Sequence, residues 1–166
     1  ILLFLSSLQS IKQRKGMMEL AAVAYPTALF CSFVWFTLGF NFFSFDHVRA
    51  SKILIPRKQQ DSPLIPTLTA SVRFLGGMNA ALSLMSVLLL GFWGADIPVF
   101  DDKLERATML FILGVAHFTQ FAFNVPVLVG GEKEWRVVSG PMLTIFALDA
   151  TEAVLNIGAA AVILLG

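Results

Sequence analysis

Four stretches of this chain are too long and too poor in charge for anything but helices that cross a lipid bilayer. Leu20 to Phe45 holds no Asp, Glu, Lys or Arg, and neither does Phe74 to Ala95. Ala107 to Gly131 has His117 as its one ionisable side chain, and Met142 to Gly166 is apolar apart from Asp149 and Glu152. A bilayer has a hydrocarbon core of roughly 30 Å, which about 20 apolar helical residues span. Lipid offers no partners to backbone N–H and C=O groups, so such segments must be helices or strands of a closed barrel. Barrel strands alternate apolar and polar side chains, and these runs do not.

The predicted architecture is therefore all-α: an integral membrane four-helix bundle forming one domain over residues 1–166. Its spans fall at about 20–45, 69–95, 104–130 and 140–166, with short interfacial helices at about 1–15 and 44–58. Hydrophobic residues make up 57% of the chain and charged residues 14%, against roughly a quarter charged in soluble domains. A surface that apolar would aggregate in water. Asp101, Asp102 and Glu105 suit the positive end of the third helix dipole, and Ser139 is placed to cap the fourth ahead of Gly140 and Pro141. In the second interfacial segment Arg49, Lys52, Arg57 and Lys58 surround Ile53, Leu54 and Ile55, and Pro56 stops the helix.

Orientation is not fixed by the basic residues. Lys12, Arg14, Lys15, Lys103 and Arg106 fall on one side, and Arg49, Lys52, Arg57, Lys58, Lys133 and Arg136 on the other, a near balance under the positive-inside rule. No basic groove with interleaved aromatics is present, so nucleic acid is not an expected partner. Thylakoid, mitochondrial inner and bacterial inner membranes all remain open as locations.

The residues that hydrocarbon should reject carry the functional information. His117, Gln120 and Asn124 stand at i, i+3 and i+7 on the third span, and Asp149, Glu152 and Asn156 repeat that spacing on the fourth. Each set lies on one helix face, and the two faces are expected to meet. An acid near the middle of a span costs roughly 2.5 to 3.5 kcal/mol on insertion scales, so Asp149 and Glu152 need partners. Arg73 and His117 are the available cations. Counting inward from a common end sets Asn124 beside Arg73, Gln120 beside Asp149 and His117 beside Glu152, with Asn79 a looser neighbour. The expected buried polar cluster is thus Arg73, His117, Gln120, Asn124, Asp149, Glu152 and Asn156.

A metal centre is not expected, because His117 is the only intramembrane His and no His-x-x-His or Glu-x-x-His pair accompanies it. His117 is a candidate ligand for a porphyrin or chlorophyll magnesium, though a lone buried His is more often hydrogen-bonded than ligating. The 16 Phe residues suit a surface against lipid, carotenoid or chlorophyll, and ordinary helix packing accounts for most of them. Phosphate loops, dinucleotide fingerprints and nucleophile elbows are absent. Cys31 sits in an apolar run and reads as inert.

The segments RFLGGMNAALSL (Arg73 to Leu84), HFTQFAFNVPVLVGG (His117 to Gly131) and GPMLTIFALDA (Gly140 to Ala150) resemble small bacterial membrane proteins of the DoxX-like neighbourhood. The resemblance covers the last three spans. It implies a four-helix fold and transfers no catalytic residue.

The leading expectation is a non-catalytic accessory or structural subunit of a larger membrane complex, such as a photosynthetic or respiratory one. Its outer surface would contact membrane lipids, pigment or other membrane protein subunits. The alternative is a small intramembrane enzyme or binder that moves a proton on a lipid-like substrate through His117, Asp149 and Glu152. Transport ranks below both, since four helices form a pore only as an oligomer and no half of the chain repeats.

Overall fold

The structure is a computed structural model that describes residues 2–133 and 135–166, with the side chains of residues 2–11, Arg14 and Arg57 outside the description. It is an all-α four-helix bundle. Helix α1 runs Leu2–Ser44, α2 His47–Leu54, α3 Ile65–Gly94, α4 Lys103–Val129 and α5 Gly140–Leu165, with a 3-10 turn at Arg57–Gln59. Four of these are long and apolar enough to cross a bilayer, over Lys15–Ser44, Ile65–Gly94, Lys103–Val129 and Gly140–Leu165. The chain is a multi-pass membrane protein.

Local sequence explains most helix ends. The Asp102 side chain accepts from the Glu105 backbone N–H while Glu105 reaches back toward Asp102, a reciprocal cap that satisfies two otherwise orphaned donors. Helix α5 starts after Ser139 as expected, but that hydroxyl makes no capping bond; Pro141, which has no N–H to satisfy, fills the first turn instead. Helix α2 opens at His47 and ends at Leu54, just ahead of Pro56.

Two boundaries differ from expectation. The segment 1–15, predicted as a separate interfacial helix, continues α1 without a break from Leu2. Nothing between residues 2 and 25 is a helix breaker except Gly16, and one glycine costs only about 1 kcal/mol in a helix interior. How the side chains of that segment face lies outside the described residues. Helix α3 begins at Ile65, a turn earlier than the predicted 69, because Pro66 sits at a position that tolerates a missing N–H.

The bundle is two antiparallel helical hairpins. Helix α1 packs on α3, α4 packs on α5, and α1 meets α5 between them; α3 makes almost no close backbone approach to α4 or α5. Small residues set the first crossing. A Cβ on Gly76 would strike Ser44 Oγ and come within 2.8 Å of the Ser44 backbone N, and one on Gly39 would meet Asn79 Oδ1 at 2.7 Å. Such contacts let backbones approach closely where no hydrophobic driving force draws helices together. The Thr37 and Ser83 hydroxyls add a hydrogen bond of 2.6 Å across the same seam.

The apolar core gathers Tyr25, Leu29, Leu89, Leu110, Leu113 and Ile163 in the half of the bundle near the α3–α4 connection. At that end Arg106 pairs with Asp101 and lies over the Tyr25 ring, 5.3 Å from its centroid. Outward faces carry large apolar side chains, with Phe74, Phe123 and Val154 all about three-quarters exposed. Those surfaces are what hydrocarbon solvates.

Candidate functional site

On α5 the residues Asp149, Glu152, Ala153, Asn156, Ala159, Ala160 and Ile163 are all buried. Their spacing of three and four makes one continuous stripe, polar in its first half and apolar in its second. Helix α4 presents Gly114, His117 and Asn124 toward it. Gly114 is the point of closest approach: a Cβ there would lie 3.2 Å from the Ile157 backbone N and 3.3 Å from Asn156 Cβ.

The centre of the site is a hydrogen-bonded line through three helices. Trp35 Nε1 donates to Asp149 Oδ1 at 2.8 Å. His117 Nδ1 lies 3.3 Å from the same oxygen, and His117 Nε2 lies 3.4 Å from Ser32 Oγ. Asn156 Nδ2 donates to Ser32 Oγ and to the Glu152 carbonyl, each at 2.9 Å, and sits 3.4 Å from Glu152 Oε2. With Nδ1 as donor to Asp149 and Nε2 as acceptor, the Ser32 hydroxyl donates to the ring and accepts from Asn156, and every donor in the line is used. Phe36 stacks on the imidazole at 4.3 Å and 18°, closing one ring face. Ser32, His117, Asp149 and Asn156 are each 0% exposed.

Two acceptors in this cluster, Asp149 Oδ2 and Asn156 Oδ1, are buried with no hydrogen-bond partner among the described residues. Away from water, such atoms each cost of order 1–3 kcal/mol. The network is held by its geometry at some expense in stability.

The meeting of the α4 and α5 polar faces agrees with expectation, and its side-chain pairing does not. His117 pairs with Asp149 where Gln120 was expected, a change of partner by about one helical turn, or roughly 4.5 Å for three residues. The backbones themselves stay near the expected register, since Gly114 lies against Asn156 and Ile157; the change of partner is made by the side chains. Val137 is fully buried and Trp135 Nε1 donates to Asn124 Oδ1 at 2.9 Å. The loop therefore tucks inward at this end of the bundle. Asn124, expected beside Arg73, is occupied by that tryptophan. Gln120 is half-buried beside the cleft described below.

Arg73 is not in the cluster; it is exposed. The buried face of α3 runs through Gly76, Asn79, Ser83 and Ser86. At about 100° per residue, Arg73 projects roughly a quarter turn or more off that face. Asn79, expected as a loose member, is buried against Gly39 and bonds the Leu75 carbonyl at 2.8 Å. The anchors that sequence reasoning missed are Ser32 and Trp35 of α1. The available signal was the depth of Trp35, since tryptophan in a membrane protein otherwise gathers at the interfaces.

The order Ser32, His117 Nε2, His117 Nδ1, Asp149 matches the connectivity of a hydrolase triad. Acyl transfer also needs donors aimed at the developing oxyanion. Ser32 lies inside α1, where backbone N–H groups are spent on the helix, and its hydroxyl already accepts from Asn156. His117 as a magnesium ligand meets a similar obstacle, because Ser32 stands at Nε2 and Asp149 at Nδ1. Among the described residues no group of three or more His, Cys, Asp or Glu is placed to hold a metal ion.

Beside this line lies a cleft of about 350 Å³. Helix α1 forms its floor through Trp35, Gly39 and Phe42, while Asn79 of α3 lines one wall and Gln120 of α4 and Thr144 of α5 the other. Trp35 belongs to both features, with its ring in the cleft and its N–H on Asp149.

No family model, curated protein or solved structure matches the chain.

Proposed function

We propose that this chain is a non-catalytic accessory or structural subunit of a larger membrane complex. The observation that supports this reading is the complete burial of Ser32, His117, Asp149 and Asn156. Side chains with acid, base and nucleophile chemistry are engaged with one another across α1, α4 and α5, away from any surface a substrate reaches. Such a network fixes helix register, as interhelical polar contacts in membranes do at about a kcal/mol each. The outer faces, with Phe74, Phe123 and Val154 projecting, are left for lipid and for neighbouring subunits. The DoxX-like resemblance of the last three spans, which implies a fold and no activity, points the same way.

A second reading has one observation in its favour, the triad-like order of Ser32, His117 and Asp149. It ranks below the first because Ser32 lacks an oxyanion hole.

Extraction of the full chain in a mild detergent, followed by native mass measurement, tests the proposal. A stoichiometric assembly with other integral membrane proteins is expected. A stable, homogeneous, partner-free monomer that hydrolyses a lipid ester, with activity lost in Ser32→Ala, would overturn it in favour of the enzyme.

A further inference from the structure

The cleft does not end at the bundle surface. At the end where α4 gives way to α5, Pro141 lines both the cleft and a second cavity of about 500 Å³, formed by the α2 end and the α4–α5 loop. The two spaces adjoin at that residue, and they differ in chemistry. The inner one is mostly apolar and reaches Trp35, nine residues from the end of α1 at Ser44, or about 13 Å along the helix. That is close to half of a hydrocarbon core of roughly 30 Å. The outer one is bordered by Lys52, Lys133 and Arg136, with Glu132 the one described carboxylate among them. Glu132 Oε1 accepts from the Val137 and Val138 backbone N–H groups, each at 2.9 Å, so its carboxylate is turned to the loop. Among the described residues none of the three cations forms an ion pair, and all three are exposed.

A basic pocket at headgroup depth beside an apolar cleft has the layout of an anionic amphiphile. We propose that this composite site binds one anionic phospholipid, with the headgroup phosphate among Lys52, Lys133 and Arg136 and one acyl chain along Phe42 toward Trp35. Juxtamembrane Lys and Arg attract anionic lipid, and basic pockets between spans take phosphate headgroups. Trp135 borders the outer cavity while bonded to Asn124, an indole at the depth where membrane tryptophans gather. Thr144, four residues into α5, lies in the cleft wall nearer the headgroup end, where the ester carbonyls fall. The inference needs only that the chain spans a bilayer; it stands or falls apart from the subunit reading.

The test uses the full chain in detergent, delipidated and then titrated with dioleoyl phosphatidylglycerol or dioleoyl phosphatidylcholine, with bound lipid counted by native mass spectrometry. One phosphatidylglycerol should be retained at least about tenfold better than phosphatidylcholine, as three nearby cations imply. The triple variant Lys52→Gln, Lys133→Gln, Arg136→Gln should abolish that preference while leaving helix content unchanged, since all three side chains are exposed. Thr144→Trp, which fills the cleft from an exposed wall position, should weaken retention of both lipids. Equal retention of the two lipids, or a preference that survives the triple variant, would overturn the proposal. So would competition by sn-glycerol 3-phosphate as effective as that by intact lipid, which would make the site one for a free anion.

Discussion

Asp149→Leu should destabilise the bundle by about 2 kcal/mol. Leucine matches aspartate in branching and heavy-atom count and is far better suited to hydrocarbon, so insertion alone favours the variant. The loss comes from what Asp149 Oδ1 holds. Trp35 Nε1–H and His117 Nδ1 both converge on it in a region of zero exposure. Removing the acceptor orphans two buried donors, at of order 1–3 kcal/mol each. Two effects temper that sum. The unpartnered Oδ2 disappears with the carboxyl, and helices separated within the bilayer find other partners, which holds measured interhelical pairs to about 0.6 kcal/mol on average. Asp149→Asn keeps a carbonyl oxygen for the tryptophan and should cost under about 1 kcal/mol. Reversible unfolding in bicelles, followed for both variants, distinguishes loss of the acceptor from loss of the acid. Equal stability of wild type and leucine variant would show that the line is not holding the helices.

Gly114→Val is expected to have an effect of similar size through packing alone. A Cβ at this position already lies 2.6 Å from Ile157 Cγ1, which can rotate away, and 3.2 Å from the Ile157 backbone N, which cannot. Two further methyl groups leave α4 no option but to move off α5. Overpacking of this kind costs about 1–3 kcal/mol. Because Gly114 is one turn from His117, the same movement lengthens the His117 contact to Asp149. Gly114→Ala, whose single methyl needs only the Ile157 side chain and a few tenths of an ångström of backbone, should fall between valine and wild type. The thermal midpoints of the three proteins, measured in one detergent, should order glycine, alanine, valine from most to least stable.

What could be read from sequence, and what could not, divides along physical lines. Span number and position follow from charge-free length, because the bilayer fixes how long an apolar helix must be; four predicted spans correspond to α1, α3, α4 and α5 within a few residues. Which faces of α4 and α5 turn inward follows from the spacing of His117 and Asn124 and of Asp149, Glu152 and Asn156. Which side chains pair does not follow, because a side chain can reach a partner above or below its own level. Trp135 takes up Asn124 and His117 reaches Asp149 instead of the residue at its own level, and no local signal encodes either choice. Arg73 was drawn into the cluster by charge bookkeeping, on the premise that a buried acid requires a buried cation. Asp149 instead has donors from Trp35 and His117, leaving Arg73 at the surface. Ser32 carries no signal of its own, because a single serine in a span is common and makes only a local backbone bond in most helices.

Coupling between Trp35 and Asp149 is the most direct measure of whether polar side chains join the two hairpins. In a double-mutant cycle of Trp35→Phe, which keeps the ring packing and removes the N–H, with Asp149→Ala, an interaction energy of about 1 kcal/mol is expected, within the range seen for hydrogen bonds between membrane helices. Free energies that add to within about 0.3 kcal/mol would mean the indole and the carboxyl do not hold each other, and would contradict the account that this bond joins the two hairpins.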